Sequence, residues 1–272
     1  MRLDEQELTA FVERSPLGYR RFLEKSIGVT TVIETLLEFK PRDVPGEVIW
    51  PACESDLFKP QPPDPRLRAE LGLPAGEHVV VYPGNSHSLN AEEMRSLYLA
   101  IGLLNDRGTP VKLVRLGDDH VDFLGRGARD VRKHVIRVPY QPRSEVPRYL
   151  ALADVLVQPG RPDRFNDYRF PSKLPEFFAM HKPVILPRSN LGRVLEHGEN
   201  CLLLETGEPL ELAEKIGECL RDQALRARLA AGARAFAEES FSWSRSALRL
   251  QRFYEHVLSS SASRSVVDAV PS

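Results

Sequence analysis

Two charged residues lie one helical turn apart inside the mostly apolar segment RFPSKLPEFFAMHKPVILP, residues 169–187. The segment predicts a short helix and then a buried strand, with Lys173 and Glu176 on one face where the helix begins. Ser172 is expected to cap that helix, and Pro175 fits only in its first turn. A helix N-terminus with a lysine suits a phosphate, and a glutamate beside it accepts hydrogen bonds from a ribose diol. The alternative is a surface ion pair on a core helix, and spacing alone does not decide between the two.

The loop GNSHSLN offers a second place for an anion, between a predicted strand and a predicted helix. Gly84 lets a ligand approach the backbone, and Asn85, His87 and Asn90 supply hydrogen-bond donors. An ordinary turn in which Asn90 caps the helix, with Glu93 as its return partner, explains the same residues. The sequence contains neither GxGxxG nor the Walker GxxxxGK[ST] pattern, so neither a dinucleotide loop nor an ATP phosphate loop is indicated.

Two further places carry charge next to predicted strands. Arg115 lies near the end of the apolar strand VKLVRLG, where a phosphate or the carboxylate of Asp118 or Asp154 would compensate its burial. The polar and aromatic loop RPDRFNDYR, residues 161–169, follows another predicted strand. It is either a variable surface loop or part of a site.

The elements that must position these residues alternate between strands and helices. Apolar runs predict strands at 78–84, 110–117, 134–138, 154–160, 182–187 and 201–205. The segment 91–108 has helical periodicity, with an apolar face of Met94, Leu97, Tyr98, Ile101 and Leu104. This alternation predicts an α/β fold with a doubly wound parallel sheet. In such a sheet ligands bind beyond the carboxyl ends of the strands, where the loops above lie.

Composition argues against several classes of protein. The 272 residues are 42% hydrophobic, and 37 Lys and Arg nearly balance 38 Asp and Glu, so no nucleic-acid partner is expected. The three cysteines are far apart and neither a zinc spacing nor a DxD pair occurs, so no metal site, disulfide framework or cofactor is expected. No signal peptide or membrane-spanning run is visible, so the chain is expected to be soluble and cytoplasmic, acting in the cytosol or at the cytoplasmic face of a membrane.

Four stretches, in order, resemble the donor-binding half of GT-B glycosyltransferases of the family-four (group 1) type. The resemblance runs from about residue 27 to residue 258. The four stretches are VVVYPGNSHSLNAEEMRSLYLAI, HVIRVPYQPRSEVPRYLALADVLVQPG, FPSKLPEFFAMHKPVILP and PLELAEKIGECLRDQALRARLAAGARAFAEESFSWSR. The resemblance implies a Rossmann-like domain. It also implies that the ligand is a nucleotide-diphosphate sugar, either a UDP- or a GDP-sugar.

The resemblance also implies roles for individual residues. Glu176 would hold the ribose hydroxyls, and Lys173 and Ser172 would hold the diphosphate together with the GNSHSLN loop. The backbone near Val138 and Pro139 would face the base. Catalysis would depend on Lys173 and Glu176, without a metal and, as the family implies, with retention of the anomeric configuration.

The sugar contact departs from the family pattern. The family often has a glutamate eight residues before its ribose-binding one, and this chain has Tyr168 there. Asp167 or Asp163 would then take over that contact. Arg169 and Phe170, in the same loop, complete the expected ligand contacts.

The diphosphate contact departs from the pattern as well. The family's first loop often carries Arg and Lys, and the corresponding residues here are Asn85 and Asn90. The phosphate site would then depend more on Lys173, with help from Arg115 or Arg169. The family's glycine at the end of the next helix is replaced by a histidine at position 181, where a left-handed residue is expected.

The resemblance also divides the chain into segments. Residues 1–65 are expected to be a remnant of an N-terminal acceptor domain and a linker, 66–242 the nucleotide-sugar-binding domain, 243–258 a crossover helix and 259–272 a disordered tail. The final helix has an apolar stripe that would pack on the remnant, formed by Trp243, Ala247, Leu250, Tyr254 and Val257.

The preferred function is transfer of a sugar from a nucleotide-diphosphate sugar to a glycan or lipid acceptor in glycan biosynthesis. A nucleotide-sugar-binding subunit or truncated remnant, without turnover and dependent on a separate acceptor-domain protein, is an alternative from another class. A sugar-nucleotide epimerase of the same architecture would need an acid and a base carboxylate in one cleft, which the sequence does not assign.

Overall fold

The computed structural model describes residues 19–267, with side chains except at 19–21, 126–129 and 261–267. Residues 1–18 of the predicted N-terminal remnant and the last five residues of the predicted tail, 268–272, lie outside the described residues. Pro51–Trp243 form one compact unit, and the described residues up to Trp50 and from Ser244 onward form a second. The assignment of the first segment as a domain remnant stays a prediction.

The smaller unit begins with four short elements. They are helix α1 (Tyr19–Glu24), strand β1 (Val29–Thr31), a 3₁₀ helix (Glu34–Phe39) and strand β2 (Gly46–Val48). β1 and β2 pair in parallel, with Val29 opposite Gly46. Two strands of three residues bury little surface by themselves, so this unit depends on what packs against them.

The larger unit is built on a parallel sheet of six strands. They are β3 (His78–Pro83), β4 (Val111–Leu116), β5 (Val135–Val138), β6 (Val155–Val157), β7 (Val184–Pro187) and β8 (Leu202–Leu204), in the order β5-β4-β3-β6-β7-β8. The predicted α/β fold with a doubly wound parallel sheet is confirmed. The order reverses between β3 and β6, where Val80 pairs with both Leu113 and Val155. This is the switch point at which parallel sheets bind ligands.

The helices of the larger unit are α2 (Pro65–Glu70), α3 (Ala91–Asp106), α4 (Val146–Leu150), α5 (Arg164–Asp167), α6 (Leu174–Ala179), α7 (Pro209–Arg221) and α8 (Gln223–Ser240), with 3₁₀ helices at Arg126–His134 and Asn190–Arg193. Helix α9 (Trp243–Val267) belongs from Ser244 onward to the smaller unit. The predicted apolar face of α3 is confirmed, because its five residues are at most 2% exposed. Among residues 19–267, no helix is both long enough and apolar enough to cross a bilayer.

Helix α9 contributes the buried face on which the smaller unit depends. Phe253 and Val257 are buried, and a Cβ at Gly28 would lie 2.9 Å from each of them. Trp243 and Tyr254 are 58% and 55% exposed, so the predicted stripe is wrong in part. At this point of the helix the buried residue is Phe253, and the neighbouring Tyr254, which belongs to the predicted apolar stripe, is exposed. The helix also continues past residue 258, where the sequence predicts its end.

Candidate functional site

Two adjoining cavities open at the switch point of the large sheet. We name each after a carboxylate that lines it alone: the Glu93 cavity, of ≈ 350 Å³, and the Glu176 cavity, of ≈ 400 Å³. Four residues line both cavities, namely Gly84, Asn85, Ser172 and Lys173. The cavities therefore meet at the loop after β3 and the start of α6, which are the two segments that the sequence singled out.

The structure brings most of the predicted site residues together. Besides the four shared residues, the Glu93 cavity contains the predicted residues His87, Asn90, Arg169 and Phe170. Of the described residues that were predicted as ligand contacts, six line neither cavity: Arg115, Val138, Pro139, Asp163, Asp167 and Tyr168.

Lys173 and Glu176 face different partners. The Lys173 Nζ atom lies 4.9 Å from the centroid of the Tyr82 ring, a cation–π distance. The Glu176 Oε1 atom lies 2.5 Å from Arg143 Nη1, and the Glu176 side chain is only 13% exposed. Within the described part of the chain no ion pair joins Lys173 to Glu176, so the two do not form the simple surface pair that their spacing allows.

The carboxyl group of Glu176 has an unusual environment. Burial raises its pKa above the ordinary value, while the positive charges of Arg143 and Lys173 act in the opposite direction. Arg143 itself is shared, because its Nε atom also lies 2.9 Å from Glu54 Oε1. The Glu176 carboxylate is therefore held in place by a neighbour that a ligand can compete with.

Helix α6 begins differently from the prediction. Its N-cap is Lys173 instead of Ser172, without a side-chain cap hydrogen bond. The Leu174 N–H donates to the Pro171 carbonyl at 3.0 Å, and Pro175 has no N–H. Few backbone amides are therefore free in the first turn, and the helix has only six residues, so its N-terminus attracts an anion weakly. For binding an anion, the charge of Lys173 matters more than the helix N-terminus does.

The loops after β3 and β4 pack backbone against backbone. Gly84 and Gly117 have φ values of +149° and +110°, which side chains rarely adopt. A Cβ at Gly117 would lie 2.6 Å from Asn85 Oδ1 and 3.0 Å from the Gly84 carbonyl carbon. The Asn85 Oδ1 atom accepts a hydrogen bond from the Asp118 N–H at 2.9 Å. Asn85 thus joins the two loops as well as lining both cavities.

The predicted capping box of α3 is wrong. Asn90 occupies the N-cap position, but its Oδ1 accepts from the His87 N–H at 2.8 Å and its Nδ2 donates to the Asn85 carbonyl at 3.0 Å. Glu93 turns away from the cap and accepts hydrogen bonds from Asn166 and Arg169 instead. Asn90 therefore holds its own loop in shape, and Glu93 becomes part of a cavity wall.

The expected contact of Arg115 with a ligand is corrected. Arg115 has no exposed surface, and its Nη1 and Nη2 atoms donate to the carbonyls of Gly117 at 2.5 Å and Asp118 at 3.0 Å. Its ionic partner is Asp119, at 2.8 Å, and not the carboxylate of Asp118 or Asp154. Because Arg115 is fully buried and its Nη1 and Nη2 atoms are bound to the loop and to Asp119, it supports the loop under the site and does not face a ligand.

The contacts predicted for the other five residues stay predictions, although the structure shows other partners for some of them. The Val138 carbonyl accepts from the Gly117 N–H at 2.9 Å, within the edge of the sheet, and Pro139 is exposed. Asp167 accepts a hydrogen bond from Arg193 Nε at 3.0 Å, which turns it away from the site. The Tyr168 ring lies 6.0 Å from the guanidinium of Arg164, also outside both cavities.

Several lining residues were missed by sequence reasoning. In the Glu176 cavity they include Tyr140, Gln141 and Arg143, all in the loop VPYQPR that follows β5. The position of that loop after a predicted strand was a usable signal, but no spacing pattern marked individual residues in it. Glu93 and Gln158 in the other cavity gave no such signal, because Glu93 lies inside a helix and Gln158 falls within the strand predicted at 154–160.

A third and larger cavity, of ≈ 460 Å³, lies in the same unit and includes Tyr98 and Asp119 in its wall. It shares no lining residue with the other two cavities. Its two arginines each lie beside a carboxylate, Arg132 beside Asp122 and Arg137 beside Asp119, both at 3.1 Å, and Asp119 also pairs with Arg115. It is the largest of these three cavities, but its cations are held by carboxylates of its own wall, whereas the pair of cavities that meets at Lys173 has a lysine without an ion pair to any residue that the structure describes. We therefore place the site at the pair.

Known proteins resemble this chain in sequence and in fold. A family model described as glycosyl transferases group 1 matches residues 77–222. An uncharacterized glycosyltransferase, MJ1178 of Methanocaldococcus jannaschii, is 30% identical over 139 residues, which cover 51% of this chain and 34% of that protein. A D-inositol 3-phosphate glycosyltransferase of Frankia alni is 27% identical over 230 residues, 79% of this chain and 54% of that protein. The chain thus spans about half the length, or less, of these relatives.

Among solved structures, that of Anabaena Alr3699/HepE in complex with UDP and glucose superposes on this chain with a TM-score of 0.71. The two sequences are 19% identical, and the superposition covers 94% of this chain and 67% of the HepE chain. At this identity the likeness shows the fold, which is of the GT-B type. The family model covers more than half of the chain and includes both segments that form the junction of the cavities. The chain belongs to the group 1 glycosyltransferase family.

Proposed function

We propose that the chain binds a nucleotide-diphosphate sugar and forms the donor half of a glycosyltransferase. A nucleotide sugar has a nucleoside at one end, a diphosphate in the middle and a sugar at the other end. The site has the same order: one cavity with the buried Glu176, a junction with the cation Lys173, and a second cavity beyond it. The position of Lys173 at that junction is the observation that carries the proposal.

In this arrangement the nucleoside occupies the Glu176 cavity. The carboxylate of Glu176 accepts hydrogen bonds from the ribose hydroxyls, for which it exchanges its contact with Arg143. Tyr140 and Gln141, in the wall of the same cavity, face the base in place of the predicted Val138 and Pro139. The complexes of HepE with UDP and with UDP-glucose support a UDP-sugar, and a GDP-sugar is the second candidate.

Catalysis depends on stabilising the leaving group. When the bond between the anomeric carbon and the diphosphate breaks, the electron pair stays on the diphosphate, and Lys173 stabilises that charge. Asn85 and Ser172, which also line the junction, supply amide and hydroxyl donors to the same group, and Gly84 leaves room for it beside the backbone. Family membership supports retention of the anomeric configuration and a glycan or lipid acceptor, which the transferred sugar joins through a hydroxyl of the acceptor.

The second candidate is a nucleotide-sugar-binding subunit that needs a partner protein for turnover. The two are separated by incubating the chain with each nucleotide sugar that it binds, alone and with a mixture of glycan and lipid acceptors. Release of the nucleoside diphosphate supports an enzyme, and tight binding without release supports a subunit.

The test of the donor-binding proposal is calorimetry with UDP, GDP, ADP and their sugars, checked by thermal shift. We expect binding of UDP or GDP and a rise in the unfolding temperature. Absence of both heat and thermal shift with every nucleotide at millimolar concentration would contradict the proposal.

Metal independence is tested in the same assay. Because Lys173 supplies positive charge at the junction, we expect nucleotide affinity to stay nearly unchanged when EDTA is added. A tenfold loss of affinity on chelation, restored by Mn²⁺, would show that a metal shares the diphosphate.

A further inference from the structure

The Glu93 cavity contains an ion pair in its wall, between the buried Glu93 and Arg169, whose side chain is 28% exposed. Glu93 is 8% exposed, and its Oε1 and Oε2 atoms accept hydrogen bonds from Arg169 Nη2 at 3.3 Å and 3.1 Å. Glu93 Oε1 also accepts from Asn166 Nδ2 at 3.0 Å. Both members of the pair line the cavity, so a carboxylate and a guanidinium are presented together to whatever occupies it.

Neighbouring residues hold the ion pair of Glu93 and Arg169 in place. Asn190 Nδ2 donates to the carbonyls of Asn166 and Arg169, at 2.7 Å each, and Asn190 adopts a left-handed φ of +40°. The Arg169 guanidinium lies 5.0 Å from the centroid of the Phe165 ring. Side chains held by such supporting contacts are the ones that recognise a ligand with defined geometry.

Gln158 adds an independent observation. It is 2% exposed and lines the same cavity, and its Nε2 atom donates to the Pro159 carbonyl at 2.9 Å. Its Oε1 atom is buried and accepts no hydrogen bond from any residue that the structure describes. A buried acceptor without a donor is costly, so it points to a hydroxyl or amide group of a ligand.

We propose that Glu93, Arg169 and Gln158 read the transferred sugar and select a neutral sugar that is rich in hydroxyl groups. This inference rests on the proposed binding of a nucleotide sugar. A hydroxyl group both donates and accepts, and the ion pair offers an acceptor and a donor side by side. The pair has no net charge, and its carboxylate disfavours a sugar that carries a carboxylate of its own.

The test is Glu93→Gln, which keeps the size of the side chain and removes its charge. Calorimetry compares UDP, UDP-glucose and UDP-glucuronate on the wild type and the variant. If the wild type binds GDP and not UDP, the probes are GDP, GDP-mannose and GDP-mannuronate. Glu92→Gln is the matched control, because Glu92 is the neighbouring carboxylate on α3, is 81% exposed and lines neither cavity.

In Glu93→Gln we expect the affinity for UDP to change by less than about 2-fold, since the nucleoside and diphosphate contacts remain. The ratio of UDP-glucuronate affinity to UDP-glucose affinity should rise about 10-fold, because Arg169 loses its carboxylate and a charged hydrogen bond is worth roughly that factor. Glu92→Gln should leave the ratio unchanged. Unchanged UDP affinity also shows that the variant is folded.

Two results would overturn this inference while leaving the proposed function intact. One is an unchanged ratio in Glu93→Gln. The other is an equal loss of affinity for UDP and both sugars, which indicates that Glu93 only supports the fold. Failure of the wild type to bind any of these nucleotides contradicts the proposed function itself.

Discussion

At the scale of single residues, Lys173 and Glu176 lie within one turn of each other but contact different groups, the Tyr82 ring and the Arg143 guanidinium. Lys173 lines both cavities, whereas Glu176 lines only one. The spacing of the two residues was visible in the sequence. Their different side-chain partners were not visible, because Tyr82 and Arg143 lie on another strand and another loop.

Alanine at either position is expected to weaken UDP binding by about 10-fold to 150-fold, since charge-assisted hydrogen bonds are worth roughly 1.5–3 kcal/mol. Uridine, which has no phosphate, should respond strongly to Glu176→Ala and hardly at all to Lys173→Ala. Isothermal titration with UDP and uridine measures both effects. Lys215→Ala, on α7 and outside both cavities, is the matched control and should change neither affinity. Equal sensitivity of uridine to both active-site changes would mean that the roles are assigned wrongly.

The raised pKa of Glu176 predicts a pH dependence. The ribose hydroxyls donate to the ionised carboxylate, so uridine affinity should fall as the pH drops through a midpoint above the ordinary carboxyl value of 4.5. Arg143→Gln removes an attraction that favours the ionised form, and it should move that midpoint to higher pH. Uridine is the probe because it carries no phosphate that titrates in this range.

NMR titrations of uridine between about pH 4.5 and 8 measure the midpoint. Glu176→Gln serves as the control and should give weak binding without this transition. The same transition in Glu176→Gln would assign it to another group.

At the scale of elements, the junction depends on close contact between the loops after β3 and β4. Gly117→Ala should destabilise the fold and weaken UDP binding, because its Cβ would overlap Asn85 and the backbone at Gly84. Gly108→Ala is the control, since it has a φ of +79° with open space around it. It should cost about 1 kcal/mol from backbone strain alone and leave UDP affinity unchanged.

Chemical denaturation and UDP titration of both glycine variants separate the two effects. Equal loss of stability in both variants, with normal UDP affinity in Gly117→Ala, would show that the loop contact does not shape the site.

The elements themselves were largely predictable. Near-continuous apolar runs such as Val79–Val81 identify strands that are buried on both faces, and their spacing identifies the parallel sheet. The ends of helices were less predictable. Ser172 and Glu93 have the residue types of helix caps, but Lys173 takes the N-cap of α6, and tertiary hydrogen bonds from Asn166 and Arg169 draw Glu93 away.

At the scale of the whole molecule, residues of Pro51–Trp243 line both cavities completely. The proposed nucleotide site therefore lies within this unit. Contacts between residues far apart in sequence, such as Asn85 with Asp118 or Glu93 with Arg169, could not be read from local pattern, because each depends on how the loops meet after folding.

The most direct test of the account is a crystal structure of the chain with UDP-glucose, or with GDP-mannose if only guanosine nucleotides bind. The account predicts the diphosphate at the junction within hydrogen-bond distance of Lys173 Nζ, the ribose at Glu176 and the sugar beside Glu93. The reversed orientation, or density in the cavity lined by Tyr98 and Asp119 with the junction empty, would contradict it.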